Sequence, residues 1–328
     1  MIETELSRTA TKIVETLGRV RSDESVLVVT DADTVDIARS VATAARSVTP
    51  EVSILVKPAS MEHSNEPPAT VTAAMEAADV VLVATRHSLT HTSAMGAVLD
   101  AGTRVVTLRS ITERMMREGG ITADLDRVRE DSLALLDLFE ASSTAQVTSP
   151  AGTDIEFGIA DHAPIALAGP GGPNDQLVGF PPGEVAVAPD ERDASGTVVF
   201  DHSMDNLGML DTPIELSVVD GFVESVSGGV AAEELREIFA RSDENARHIA
   251  EFAMGTNPNA LLSENLKEAK KRLGTVHVAV GDNASTLGGS MPSDLHLDGV
   301  MLRPTVRLDD RTVLRDGVLQ RDAVPGLD

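Results

Sequence analysis

The sequence contains no cysteine, no tryptophan and no tyrosine, and only seven phenylalanines in 328 residues. Without cysteine there is no disulfide, no thiolate metal site and no thiol nucleophile, so any metal must be held by histidine and carboxylates. Lysine is almost as scarce: Lys12, Lys57, Lys267, Lys270 and Lys271 are all there are. No apolar run approaches the ~20 residues that a bilayer span requires. The acidic, amphipathic N-terminus MIETELSRTATKIVETLG fits neither a signal peptide nor a transit peptide. Glycine-rich phosphate loops are missing too. ESVLVVTDADTVD, where a dinucleotide fingerprint would stand, has no glycine, and there is no Walker loop.

What the chain has in excess is negative charge, 52 acidic against 27 basic residues for a net −25. Nucleic acids and anionic membranes reward a basic face, so neither is an expected partner. The carboxylates are spread along the chain rather than blocked, which points to a salt-rich cytoplasm where a dense acidic surface stays hydrated and its self-repulsion is screened. A hydrophobic content of 42% still provides for a folded core, built from Val, Ala, Leu and Ile.

Hydrophobic periodicity predicts an α/β protein of two domains, 1–143 and 144–328. Residues 3–20 read as an amphipathic helix with Leu6, Ile13, Val14 and Leu17 on one face. Strands at 24–31, 51–57, 79–85 and 103–109 alternate with helices at 34–48, 69–78 and 91–101, and a helix at 124–141 closes the domain. Short apolar strands between helices give a doubly wound, Rossmann-like parallel sheet, here serving as scaffold. From residue 145 the texture becomes β-rich, with Gly, Pro and Asp-Gly turns; VVDGFV is a two-residue hairpin signal. Helices are expected at 231–252 and 263–273, then a strand at 275–281.

Chemistry gathers toward the C-terminus. His277 lies mid-strand in TVHVAVG, and His296 and Asp298 form a His-x-Asp pair in DLHLDGV. Residues i and i+2 of a strand face the same way, so His296 and Asp298 can grip one ion, with His277 completing a two-His, one-carboxylate set. Glu184, behind the rigid GFPPG turn, and Glu251, read as near a helix end, would extend the set to two ions ~3.5–4 Å apart. His91 follows a strand of the parallel sheet, where ligands bind, with Ser88, Thr90 and Thr92 offering hydrogen bonds; equally, Ser88 or Thr90 reads as a cap on the next helix, with His91 in its first turn. His202 is placed near the site, and His63, His162 and His248 in solvent.

The ordered motifs GTDIEFGI, PPGEVAVAP, AEFAMGTNP, GTVHVAVGDN and HLDG resemble those of the aminopeptidase T/aminopeptidase S type metallopeptidases. Together with EPPATVTAAMEAADV and SLTHTSAM, they resemble still more that group's shorter branch, which includes 2,5-dihydroxypyridine 5,6-dioxygenase. The peptidase resemblance implies two divalent ions (Zn, Co or Mn) on Glu184, Glu251, His277, His296 and Asp298, hydrolysing short peptides with Glu251 as general base. The dioxygenase resemblance implies one Fe(II) on His277, His296 and Asp298, with His91 as catalytic histidine and a small hydroxylated ring as substrate. The peptidases' tyrosine is replaced by GDNASTLGG, which would bring Asp282 or Asn283 to the substrate. Five potential ligands in family order weigh toward the hydrolase. The family also implies a homo-oligomer, at least a dimer.

Overall fold

A computed structural model describes residues 2–59, 65–90, 92–169, 176–285 and 287–327. The chain forms two compact units, 1–125 with 167–182, and 126–166 with 183–328. Each is thus assembled from two stretches of chain, where the sequence reading divides it once, at 143/144.

The first unit holds a parallel sheet of β1 (Val26–Thr30), β2 (Val52–Val56), β3 (Val80–Ala84), β4 (Arg104–Thr107) and β8 (Leu177–Gly179), in the order β2-β1-β3-β4-β8. Every residue of β1 and β3 is buried. Alternate residues go to opposite faces. Val26, Val28, Val80 and Leu82 pack with α1 (Ile2–Lys12), α2 (Val35–Arg46) and α5 (Glu113–Glu118), while Leu27, Val29, Val81 and Val83 pack with α3 (Ala69–Glu76) and α4 (Ser93–Asp100). Helices on both faces explain why these strands read as continuous apolar runs. The expected doubly wound sheet is present, and β8 extends it beside β4.

The second unit opens with α6 (Leu125–Glu140) and contains two largely antiparallel sheets. The eight-stranded sheet is made of β5 (Thr144–Thr148), β6 (Asp154–Gly158), β10 (Ser195–Phe200), β13 (Ile214–Val219), β14 (Phe222–Ser227), β18 (Thr305–Leu308), β19 (Arg311–Arg315) and β20 (Val318–Leu319). The seven-stranded sheet contains β7 (Ile165–Ala166), β9 (Glu184–Val187), β11 (Ser203–Met204), β12 (Gly208–Met209), β15 (Ile249–Gly255), β16 (Val276–Gly281) and β17 (His296–Met301), in the order β12-β11-β17-β16-β15-β9-β7. The Asp-Gly turn joins β13 to β14 as expected, with both Asp220 and Gly221 at positive φ.

Two expected helices are corrected. Residues 231–252 split into α7 (Val230–Arg241), a 3₁₀ turn and β15, because Ser242 ends the helix and 249–255 pair with β9 and β16. Of 263–273 only α8 (Leu266–Ala269) is helical; Asn257 takes the backbone of the residues beyond it, donating to the Lys271 carbonyl and accepting from the Leu273 amide. Among the described residues, no helix is long and apolar enough to cross a membrane.

Candidate metal centre

The site grows out of strand alternation in the seven-stranded sheet. Across its four middle strands the register places Glu184 opposite Gly255, His277 opposite Ala253, Asp298 opposite Ala279, Glu251 also opposite Ala279, and His296 opposite Gly281. Residues directly opposed, and residues two apart, share a face. All five candidate ligands therefore project from one face, and their same-face neighbours Ala253, Gly255, Ala279 and Gly281 leave room for them. The other face carries Val185, Val187, Phe252, Met254, Val276, Val278, Val280, Leu297 and Met301, all buried. There Phe252 stacks between Phe139 and Phe157, with ring centroids 5.5 and 5.2 Å away. One face is apolar core and the other is chemistry, on the same strands. Glu251 belongs to β15, not to a helix end.

The side chains converge. His277 Nε2 lies 3.0 Å from Glu251 Oε1, and His296 Nε2 lies 3.1 Å from Glu251 Oε2. His277 Nε2 is also 3.6 Å from Glu184 Oε2, and His296 Nε2 is 3.4 Å from Asp298 Oδ1. Two ligand groups result, Glu184–Glu251–His277 and Glu251–His296–Asp298, each with its donor atoms within 4.8 Å of one another and with Glu251 shared. The donor set suits a divalent cation. Glu184 Oε2 and Asp298 Oδ1 are buried with no hydrogen-bond partner, which a cation would supply. His296 Nδ1 meets the Asp282 carbonyl at 2.7 Å, so it carries a proton there, and Nε2, turned toward Glu251 and Asp298, is the nitrogen that would ligate.

Sequence reasoning missed the cations beside this set. Lys267 Nζ is 2.8 Å from Asp298 Oδ2 and 2.9 Å from Asp205 Oδ2. Lys270 Nζ is 3.0 Å from Asp298 Oδ2 and 3.6 Å from Glu184 Oε2, and Lys271 pairs with Glu184 Oε1. The only available signal was that three of five lysines fall in one short stretch of a lysine-poor chain. These charges set the protonation of the cluster. Burial opposes ionisation of all three carboxylates, yet Lys270, Lys271 and His277 hold Glu184 below its ordinary range. Lys270, His277 and His296 hold Glu251 well below it, and Lys267, Lys270 and His296 do the same for Asp298. Burial drives Lys271 down to about 8, whereas for Lys270 the surrounding carboxylates outweigh burial and raise it. Burial likewise opposes the His296 proton, but Asp298 and Glu251 push that imidazole up to about 10.

The remaining expected residues have other surroundings. Asp282 Oδ2 accepts hydrogen bonds from the Ser285 amide and hydroxyl, and its Oδ1 accepts from the Ser293 amide. The buried Asn283 Oδ1 accepts from the Met291 amide. Both organise the loop between β16 and β17. In the first unit, Thr92 is buried and caps α4, its hydroxyl accepting from the Met95 amide, while Ser88 Oγ accepts from the Thr90 amide. His91 and His63 lie outside the described residues. His202 is buried beside β17 but is not among the converging donors. His248, expected in solvent, is fully buried, and His162 is partly buried, 3.1 Å from Glu191.

The chain thus combines a doubly wound parallel unit with an antiparallel one that carries two histidines and three carboxylates, a candidate metal centre, on one sheet face. Residues 8–321 match the family model NicX: 2,5-dihydroxypyridine 5,6-dioxygenase, and the chain belongs to that family. It is 26% identical over 262 residues to the 2,5-dihydroxypyridine 5,6-dioxygenase of Pseudomonas putida KT2440, covering 74% of this chain and 71% of that protein. The solved structure of 2,5-dihydroxypyridine dioxygenase from the same organism superposes with a TM-score of 0.81 at 22% identity, covering 97% of both chains. Wild-type AmpT from Thermus thermophilus shares the fold, with a TM-score of 0.71 at 16% identity over 98% of this chain and 100% of that one.

Proposed function

We propose that this protein is a metal-dependent dioxygenase that opens a small hydroxylated ring at a single ferrous ion held by His277, His296 and Asp298. The observation that carries this reading is the two-histidine, one-aspartate set that the adjacent strands β16 and β17 bring to one sheet face, the donor set of a mononuclear ferrous centre. Family membership supports the same reaction class. When bound, a ferrous ion on two histidines and one carboxylate supplies open positions for dioxygen chemistry. The chain's own contribution is positional. The Asp282 carbonyl orients the His296 ring, β16 and β17 set the spacing of the two imidazoles, and the ionised Glu251 between them holds both rings in place. With His277 and Asp298 all but fully buried, bulk water is kept from the inner side of the centre.

A second reading, hydrolysis of short peptides at two ions, is favoured by one feature: Glu251 offers a different oxygen to each of two ligand groups. The two are separated by assay. Anaerobically loaded Fe(II) protein is mixed with 2,5-dihydroxypyridine in an oxygen electrode cell, and Zn-, Co- or Mn-loaded protein is given a dipeptide panel. Oxygen uptake matched to loss of the ring chromophore supports the dioxygenase. Amino-acid release without oxygen uptake replaces it with the hydrolase.

A further inference from the structure

Lysine is avoided over almost the whole of this acidic chain, yet Lys267, Lys270 and Lys271 turn inward together. Solvation of a surface does not account for them, since their side chains are only 18%, 10% and 7% exposed. The segment that carries them is pinned to the sheet. Asn257, itself fully buried, exchanges backbone hydrogen bonds with Lys271 and Leu273, and the backbone at Arg272 comes so close to Gly255 that a methyl group there would collide with its carbonyl. The lysines are thus built into the floor of the centre rather than folded over it by chance.

Lys270 is the informative one, because it contacts one carboxylate from each ligand group: Asp298 at 3.0 Å and Glu184 at 3.6 Å. A cation between those two groups is what a second metal ion would otherwise be. The charge count gives the same answer. Glu184, Glu251, Asp298 and Asp205 contribute four negative charges and the three ammonium groups three positive, with both imidazoles neutral when they ligate. One divalent ion leaves the cluster at +1 and two leave it at +3, in surroundings with little water to spread the excess. Without the lysines, two ions would balance the four carboxylates.

We infer that Lys270, flanked by Lys267 and Lys271, is the built-in second cation of this centre and limits it to one divalent ion. The inference rests on the single-ion reading above. It makes Lys270 a positioning residue that holds Glu184 and Asp298 apart from a second ion, and it places the choice between one-metal and two-metal chemistry outside the ligands themselves.

The test is metal stoichiometry, read without activity. Full-length protein is stripped with chelator, dialysed against graded Mn(II), and assayed for bound metal and for the Mn(II) electron paramagnetic resonance spectrum. The wild type should saturate at one ion with an uncoupled spectrum. Lys270→Met, similar in length but neutral, should take up two and show spin coupling, and Lys270→Arg should return to one. A wild type with one ion and a Lys270→Met protein that also stays at one overturns the lysine assignment and leaves the single-ion reading standing. A wild type with two ions overturns both. Should Lys270→Met fail to fold, Lys267→Met at the more exposed edge answers the question: its one ion should bind about tenfold tighter once a repelling charge is gone, and unchanged affinity overturns the inference.

Discussion

Gly299 follows Asp298 in β17, on the apolar face of the sheet behind the centre, opposite Val278. Its α-carbon faces the core side of the sheet, directly over the ring of Phe200. A β-carbon there would stand 2.5, 2.5 and 2.6 Å from three ring carbons. Ordinary carbon contacts are ~3.5–4.0 Å, so ring and strand must part by about 1 Å in Gly299→Ala. Neither side has slack. Phe200 is fully buried, and β17 is hydrogen-bonded to β11 on one side and β16 on the other. Overpacking of this kind costs ~1–3 kcal/mol. Whatever displacement β17 accepts is passed to Asp298 and His296, and metal sites tolerate only ~0.2 Å in ligand distance.

Two measurements follow from that geometry. Urea unfolding of Gly299→Ala should show a lower midpoint, and Mn(II) affinity should fall about tenfold or more, the scale at which lost support of a ligand is felt. Phe200→Leu removes the ring at the point of collision. Alone it should destabilise the protein through the cavity it leaves, but combined with Gly299→Ala it should restore part of both losses, giving a favourable coupling between neighbours. A Gly299→Ala protein with wild-type stability and metal affinity would refute the argument, as would a double variant whose losses simply add.

Other predictions concern the loop, the ligands and the charge. Burial alone would raise Glu191, but hydrogen bonds from Ser290, and His162 beside it, bring it down to about 2. A folded value below the unfolded 4.5 gives stability that is complete above pH 4.5 and lost as pH falls toward 2. Because the side chain is 24% exposed, solvent screening leaves about 1 kcal/mol of it. Glu191→Gln should remove that difference from the acid limb of a melting profile, and an unchanged limb would count against it. His296→Ala should lose more metal affinity than the ~10–100-fold typical of an outer-shell partner; retention of full affinity by titration would remove His296 from the centre. Lowering salt from roughly 2 M to roughly 0.1 M KCl should lower the melting temperature, because screening of the net −25 charge is relaxed. A melting temperature independent of salt would contradict the reading of that charge.

The parallel sheet was legible because each signal was redundant. VLVVT and VVLVA are apolar at every position, as strands covered on both faces must be, and the intervening helices carry their own periodicity. The region 231–252 was not legible in the same way. AAEELREIFAR is a good amphipathic helix, and the alanines and apolar residues of HIAEFAMG continue its pattern by composition alone. What makes 249–255 a strand is pairing with β9 and β16, contributed by residues about 70 positions before and 25 positions after it, which no local window contains. The error displaced Glu251 from its true setting, the middle of a sheet, to the end of a helix.

The candidate ligands could be picked out because alternation in a strand is a local rule: VHVAVG and HLDGVM each declare which face is apolar, and a histidine or aspartate on the opposite face is conspicuous. The lysines could not, because the same rule has the opposite default for them. A Lys-x-x-Lys-Lys stretch reads as a solvated helix face almost everywhere, since lysine is rarely buried without a partner. Here the partners are Glu184, Asp205 and Asp298, brought in from strands and a turn distant in sequence. Histidines and carboxylates alone are compatible with one ion or with two. The cations beside them come into view only when the fold sets Lys270 3.0 Å from Asp298 and 3.6 Å from Glu184, so the ligand motif points to a metal centre and the lysine contacts carry the proposal that it holds one ion.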